Sequence, residues 1–457
     1  MNYQLSDIKH AYFIGIGGAS MSSLASILMI KGKRVSGYDM NKSPVTEKLA
    51  LEGADITYDI NADIPESVDT VIYTAAIKND NPLMIKATGT KAVILSRAEL
   101  LGIVTNSFKT SIGVAGTHGK STTTGLLSSI CLTHDSDTAV LSGANLPFLG
   151  SSYKCADGER IVYEACEYKN SYHSMLPSIK IVLNCEHDHV DFFPTINDVI
   201  DSFRKYIDTP RFQGSNNIAV VNLDCQNCIC ASKNSKADVY FYSVKTNTDF
   251  YAYDIDMSSG YGKFSIKLND GKSIENIQLI IPGIHNVSNS VAACAAAYLS
   301  GVSIDNIKKG LETFTGVSRR FEFLGEYSGA KIFDDYAHHP DEILVTIKAA
   351  RALTSGRIIC VFQPHTYSRT YEMLDAFADC LSLADKVYLC EIYPAREINT
   401  TGVTSGDIAK RMNIAECPGS FENISEILKK ELRSGDYCLT MGAGEAYKVA
   451  KILLGEK

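Results

Sequence analysis

Apolar and polar positions along the chain alternate in a way that divides it into repeated strand–helix units. An apolar run at 11–14 leads through a glycine turn into an apolar-rich stretch from Met21 to Ile30, then into a second run from Arg34 to Tyr38. Short apolar runs bounded by turn residues predict buried strands, and longer periodic stretches predict helices. Strands are expected next at 71–76 and 93–95, with this first segment closing near Asn106 to Lys109. The pattern resumes at Ile112 to Ala115, again followed by a Gly-rich turn and a helix. Further strands are expected at 160–164, 179–184, 217–223 and 239–243, whereas 131–153 is polar and turn-rich without a clear period. From Tyr251 to Ile281 the residues alternate about an Asn269-Asp270-Gly271 turn, which predicts an antiparallel meander. Two helices, one alanine-rich after Pro282-Gly283 and one at 304–313, precede strands at 331–335, 357–362, 386–391 and 437–440. Pro340 suits the first position of a helix, and Asp341 and Glu342 suit its positive end.

Repeated βα units imply mostly parallel sheets, with functional loops at the carboxyl ends of their strands. The expected fold is therefore α/β in three domains: a Rossmann-like unit at 1–107, a central unit with a small antiparallel sheet at 108–318, and a second Rossmann-like unit at 319–457. A chain of 457 residues accommodates three domains of ordinary size.

Composition narrows the partners. A net charge of −8 argues against nucleic acid or an anionic membrane, so an anionic substrate must be drawn in by local basic groups. The N-terminal residues do not read as a signal peptide, and no apolar run reaches the roughly 20 residues that span a bilayer. Thirteen scattered cysteines, an odd number, read as reduced thiols of a cytoplasmic protein. The tightest group, Cys225-Cys228-Cys230, lacks a second ligand pair at zinc spacing and is expected to serve packing.

Candidate chemistry centres on Gly116-Thr117-His118-Gly119-Lys120-Ser121-Thr122, set between a strand and a helix. Glycines let backbone N–H groups bend around an anion, and the helix adds its positive end. Lys120 suits the outer phosphates and Ser121 a phosphate-bound Mg2+, although Val114 stands where the strict phosphate-loop pattern has glycine. Glu164 ends a buried strand, where nucleotide-hydrolysing folds place a magnesium-binding carboxylate. Glu186-His187-Asp188-His189-Val190-Asp191 follows another strand and reads either as a metal or phosphate site or as a polar turn. Earlier, Gly15-Ile16-Gly17-Gly18 and Asp39 form part of a dinucleotide fingerprint whose third glycine is replaced by Ser20. They support binding of a nucleotide or its diphosphate and leave a nicotinamide-dependent oxidoreductase as an alternative.

These motifs, together with Gly283 to Asn289, Arg319-Arg320-Phe321, Asp334 to Pro340, Phe362 to Thr370 and Met441-Gly442-Ala443-Gly444, resemble those of the Mur ligases nearly end to end. The resemblance implies that ATP phosphorylates the lactyl carboxylate of UDP-N-acetylmuramate and that the amine of L-alanine displaces phosphate. A sister ligase adding a peptide or another amino acid is the near alternative. It further implies ATP contacts at Gly116 to Thr122, His285, Asn286, Asn289, Arg320 and Asp335, and Mg2+ at Ser121, Glu164 and His189. UDP contacts would fall at Gly17, Gly18, Asp39 and Thr74; amino-acid or muramyl contacts at Tyr336, His338, His365 and Arg369. Lys120, His189, Arg320 and His338 would be the catalytic group. Two departures stand out: Glu164-Ala165-Cys166-Glu167-Tyr168-Lys169 replaces a more acidic stretch, and Thr366 replaces an arginine.

Overall fold

The computed structural model describes residues 3–74, 77–78, 80–189, 192–210 and 217–456, and of Ala19 only the backbone. Three sheets carry the chain. The first has order β3-β2-β1-β4-β5, all parallel, from β1 (His10–Ile14), β2 (Arg34–Tyr38), β3 (Asp55–Thr57), β4 (Thr70–Tyr73) and β5 (Val93–Ser96). Strand order reverses between β1 and β4, and the crevice there is where open α/β sheets take ligands. Ala75 and Ala76, expected to extend β4, lie outside the described residues.

The central sheet has ten strands: β6 (Thr110–Ala115), β7 (Ala139–Leu146), β8 (Ser151–Lys154), β9 (Arg160–Glu164), β10 (Ile179–Val182), β11 (Ile218–Asn222), β12 (Asp238–Ser243), β13 (Phe250–Asp256), β14 (Tyr261–Lys267) and β15 (Ser273–Pro282). β6 lies between β10 and β9, so the phosphate loop leaves the middle of the sheet. The antiparallel meander β13–β15 is present; it is hydrogen-bonded to β12 and continues the parallel sheet instead of standing as a layer of its own. Residues 131–153 depart from expectation. They finish the helix Lys120–His134 and then form the hairpin β7–β8, whose strands are only partly buried and carry no strong alternation.

In the third sheet, order β16-β17-β21-β18-β19-β20, only β16 is antiparallel. Its strands are β16 (Glu322–Tyr327), β17 (Ala330–Asp335), β18 (Ile358–Phe362), β19 (Lys386–Cys390), β20 (Ala415–Gly419) and β21 (Tyr437–Met441). β16 and β20, both edge strands and only partly buried, were not expected from the sequence, because edges lack the apolar runs of buried strands. β17, β18 and β21 are buried throughout or nearly so, and apolar clusters cover both faces of this sheet. The helix Pro340–Leu353 begins at Pro340 as the sequence predicts, capped by His339. No helix among the described residues is long and apolar enough to cross a membrane.

Candidate active site

Val114, the departure from the phosphate-loop pattern, is a fully buried β6 residue, so the strand core takes the place of the leading glycine. Two glycines are sterically required in the loop. Gly116 has φ 150° and a Cβ there would lie 2.9 Å from the Leu183 Cβ; Gly119, at φ 81°, would meet the Asn289 Oδ1 at 3.0 Å. The backbone N–H of His118 donates to the Asn184 Oδ1 (2.7 Å), and the Asn184 amide donates back to the His118 carbonyl (3.0 Å). Lys120 opens the helix, and its ammonium is folded onto the carbonyls of Gly116 (2.5 Å) and Thr117 (2.9 Å) and onto Glu167 Oε1 (3.0 Å). Burial alone would lower the Lys120 pKa and raise that of Glu167. Their mutual attraction outweighs it, so Lys120 is raised, Glu167 lowered and both are charged. Beside them the Ser121 hydroxyl donates to Glu164 Oε2 (2.8 Å), which also accepts the Gly143 N–H (3.0 Å).

A second group joins the central and C-terminal domains. Glu342 accepts the His338 N–H (3.0 Å) and the Nδ1–H of His118 (3.1 Å), and lies 3.6 Å from the Arg320 guanidinium. His118 reaches Glu186 on its other side, Nε2 to Oε2 at 3.3 Å. Burial opposes its charge, yet the two carboxylates prevail and raise His118 to about 9. Glu342 is likewise held well below its ordinary range, against burial, by His338, His118 and Arg320. A second contact between the domains pairs Arg369 with Asp188 at 3.2 Å. Asp188 sits at about 2 because His189 and Arg369 outweigh its burial.

Between these groups lies a cavity of about 570 Å³, ample for a nucleotide. His118, Gly119, Ser121 and Thr122 line the end at the glycine loop, and His285, Asn286, Asn289, Arg320 and Asp335 line the rest with apolar residues such as Phe321, Phe333 and Val345. Gly116, Thr117 and Lys120 are not among the residues that line it. Asn289 and Asn286 are hydrogen-bonded to each other (3.1 Å). Asp335 accepts the N–H groups of Phe321 (2.8 Å) and Ala337 (2.7 Å), and burial raises it to about 6.

Of the other expected residues, His338 contacts Tyr336 and lies 6.0 Å, ring to ring, from His365, which stacks on Tyr393. Its Nδ1 bonds the Tyr336 carbonyl (3.0 Å), and burial lowers it to about 4. In the N-terminal domain the Gly17 N–H donates to Asp39 Oδ2 (2.7 Å) and the Asn41 N–H to Oδ1 (3.2 Å), so Asp39 braces its own loop. Gly15, at φ 86°, faces Thr74 across the β1–β4 crevice: a Cβ there would lie 3.8 Å from the threonine methyl.

Family models match the chain in three blocks: a Mur ligase family catalytic domain at 10–109, a Mur ligase middle domain at 114–297, and a Mur ligase glutamate ligase domain at 319–444. The chain belongs to the Mur ligase family. It is 42% identical over 98% of its length to a UDP-N-acetylmuramate–L-alanine ligase of Acetivibrio thermocellus, covering 96% of that protein. Its fold matches that of the UDP-N-acetylmuramate-alanine ligase MurC of Thermotoga maritima, with TM-score 0.78, 23% identity and 98% of each chain covered. A Mur ligase from Thermotoga maritima, MurF, solved in complex with ADP, matches at TM-score 0.61 and 18% identity over 94% of this chain and 97% of that one.

Within this Mur ligase the residues that the sequence reading underweighted are Glu167 and Glu342. Glu167 lies in the departing Glu164–Lys169 stretch, and only the fold shows its carboxylate on Lys120. Glu342 reads from sequence as a first-turn acid. Its sole further signal is its place three residues after the capping residue His339. A magnesium ion suits the hydroxyl and carboxylate of Ser121 and Glu164, since that ion takes hard oxygen donors and needs few from protein. The buried Glu167 Oε2, which has no hydrogen-bond partner among the described residues, offers a further oxygen. His189 lies 3.6 Å from the Glu167 carboxylate. Among the described residues no three His, Cys, Asp or Glu side chains converge as a metal cage.

Proposed function

We propose that this chain joins L-alanine to UDP-N-acetylmuramate at the expense of ATP, through an acyl phosphate, releasing ADP and phosphate in cytoplasmic synthesis of the cell-wall precursor. The observation that carries this reading is the full-length similarity to an enzyme of that name in a chain whose phosphate loop opens on an interdomain cavity of nucleotide size.

The residues divide the work as follows. The loop amides and Lys120 take the β and γ phosphates, which requires Lys120 to exchange Glu167 for phosphate oxygen. Asn289, Asn286 and His285 face the base, and Phe321, Phe333 and Val345 pack against it. Ser121 and Glu164 would hold Mg2+, with His189 reaching them only through Glu167; when bound, the ion would neutralise charge on the outer phosphates. Arg320, held charged by Glu342, Asp335 and Glu164 against burial, faces the charge that develops as the carboxylate is phosphorylated. The Gly15–Gly18 turn and Thr74 take the UDP moiety at the β1–β4 crevice, with Asp39 holding the turn in shape.

Arg369, Tyr336, His338 and His365 surround the muramyl carboxylate and the amino acid. His338 is neutral at physiological pH, and its Nδ1–H is used by the Tyr336 carbonyl, leaving Nε2 to accept a hydrogen bond from the attacking amine. At about 4 it is too weak a base to deprotonate an ammonium ion, so the amine attacks as the free base. The domains divide at 1–107, 108–318 and 319–457.

Phosphate release tests the assignment when measured with and without UDP-N-acetylmuramate and L-alanine. Release is expected only with both. A preference for a tripeptide over alanine would reassign the chain to a sister ligase, and reduction of a nicotinamide cofactor would point to the oxidoreductase alternative.

A further inference from the structure

The linker from the helix Ile304–Glu312 to β16 crosses between domains at Val317-Ser318-Arg319-Arg320-Phe321. The Ser318 N–H still donates to a central-domain group, the Asn145 carbonyl of β7, at 2.9 Å. One residue later the Arg319 side chain is anchored on the C-terminal domain. Its Nε donates to Asp334 Oδ2 on β17 (2.8 Å) and its Nη2 to the Gly442 carbonyl just past β21 (2.7 Å). Its guanidinium lies 5.0 Å from the centre of the Tyr336 ring and 4.9 Å from that of Tyr447. The buried Asp334 is itself fixed, accepting the Thr440 hydroxyl at 2.7 Å. The Arg319 backbone is held as well: its N–H donates to Glu322 (2.8 Å) and its carbonyl accepts the Tyr336 N–H (2.6 Å). The Met441-Gly442-Ala443-Gly444 turn, given no task in the reaction so far, thereby supplies an acceptor for this arginine.

These contacts hold a backbone that is unfavourable on its own. Arg319 and Phe321 have φ 61° and 50°, in the left-handed region where a Cβ crowds the following carbonyl, and they flank Arg320 on both sides. Phe321 is pinned by its N–H on Asp335 at 2.8 Å. Arg320, between them, lines the nucleotide cavity and lies 3.6 Å from Glu342. Arg319 does not line that cavity. We propose that Arg319 is a positioning residue of the reaction: by clamping the left-handed linker onto the C-terminal domain, it aims Arg320 into the cavity. Its effect on turnover runs through Arg320, and so rests on Arg320 facing the charge that develops as the carboxylate is phosphorylated, as proposed above. A lysine at 319 would keep a cation beside Asp334. It could not reproduce the planar fork that joins Asp334 to the Gly442 carbonyl between two tyrosine rings.

The test is a double-mutant cycle on the full chain, comparing wild type, Arg319→Lys, Arg320→Gln and the double variant by steady-state phosphate release with ATP, UDP-N-acetylmuramate and L-alanine. Arg319→Lys is expected to lower kcat about tenfold and to leave the KM for ATP within about twofold of wild type, as a misaimed group does. Arg320→Gln should lower kcat about 100-fold. The double variant should match Arg320→Gln within about twofold, because no guanidinium is left to aim. If the lysine variant does not fold, Arg319→Gln with Asp334→Asn, which removes the buried pair as a unit, goes through the same cycle. Losses that multiply in the double variant, a wild-type kcat in Arg319→Lys, or a loss confined to the KM for ATP overturns the positioning role. An unchanged kcat in Arg320→Gln instead removes Arg320 from the reaction, and the role of Arg319 with it.

Discussion

Replacing Glu342 with glutamine keeps the size and one acceptor oxygen of this side chain but removes the charge that joins His118, Arg320 and His338. At about 1.4 kcal/mol per pH unit, raising His118 from 6.5 to about 9 favours its charged form by about 3 kcal/mol. Glu186 and Glu342 share that support, so the substitution removes about 1–2 kcal/mol of it. The sign follows from linkage. A histidine raised on folding contributes stability that is complete below about pH 6.5 and is lost as pH rises through about 9. Glu342, held low, loses its contribution only in acid. Wild-type thermal stability should therefore fall between pH 6.5 and 9.5, and Glu342→Gln should flatten that fall while lowering stability most at pH 6.5. Histidine ring proton NMR, with His118→Gln to assign the resonance, reads the same quantity directly: the His118 pKa should drop by about one unit in the glutamine variant. A wild-type His118 titrating near 6.5, or an equal stability loss at both pH values, would refute the ion-pair reasoning.

Lys120→Ala is expected to reduce turnover by about 10³-fold, as removal of a charge-stabilising group does, and also to lower thermal stability, because Glu167 is left buried without its cation. Adding Glu167→Gln should restore stability but not turnover, read by thermal denaturation and phosphate release. Gly116→Ala places a Cβ 2.9 Å from Leu183 at a φ of 150° and should raise the KM for ATP with little effect on the KM for alanine. Arg369→Ala severs the Asp188 contact and should raise the KM for alanine or the muramyl substrate about tenfold; unchanged values for both would remove Arg369 from that site.

Much of the site was legible because its chemistry is local. A strand, glycines at Gly116 and Gly119 and the Lys120-Ser121 pair define the proposed phosphate cradle through backbone geometry that neighbours in sequence determine. Glu164 could be placed for a similar reason, since a parallel strand next to β6 must end beside that loop. Glu167 was less legible, because its partner Lys120 is 47 residues away and the intervening hairpin β7–β8 has too weak an alternation to be predicted. Asp39, read as a ribose acid, has both oxygens engaged by Gly17 and Asn41, a detail that depends on loop conformation.

Periodicity and turn chemistry within this sequence were enough for three α/β units, a phosphate loop and an antiparallel meander, because hydrogen-bonded strands and helices impose a period on the residues that form them. Tertiary structure decided which charges meet. His118 comes from the central domain and Glu342 from the C-terminal one, 224 residues later, and neither has a local feature that names the other. Their pairing, with Arg369 on Asp188, exists only because two sheets pack with the carboxyl ends of β6, β10, β17 and β18 facing one cleft. In that cleft the carboxylates of Glu186 and Glu342 keep His118 charged against its burial, while burial itself keeps His338 neutral and raises Asp335.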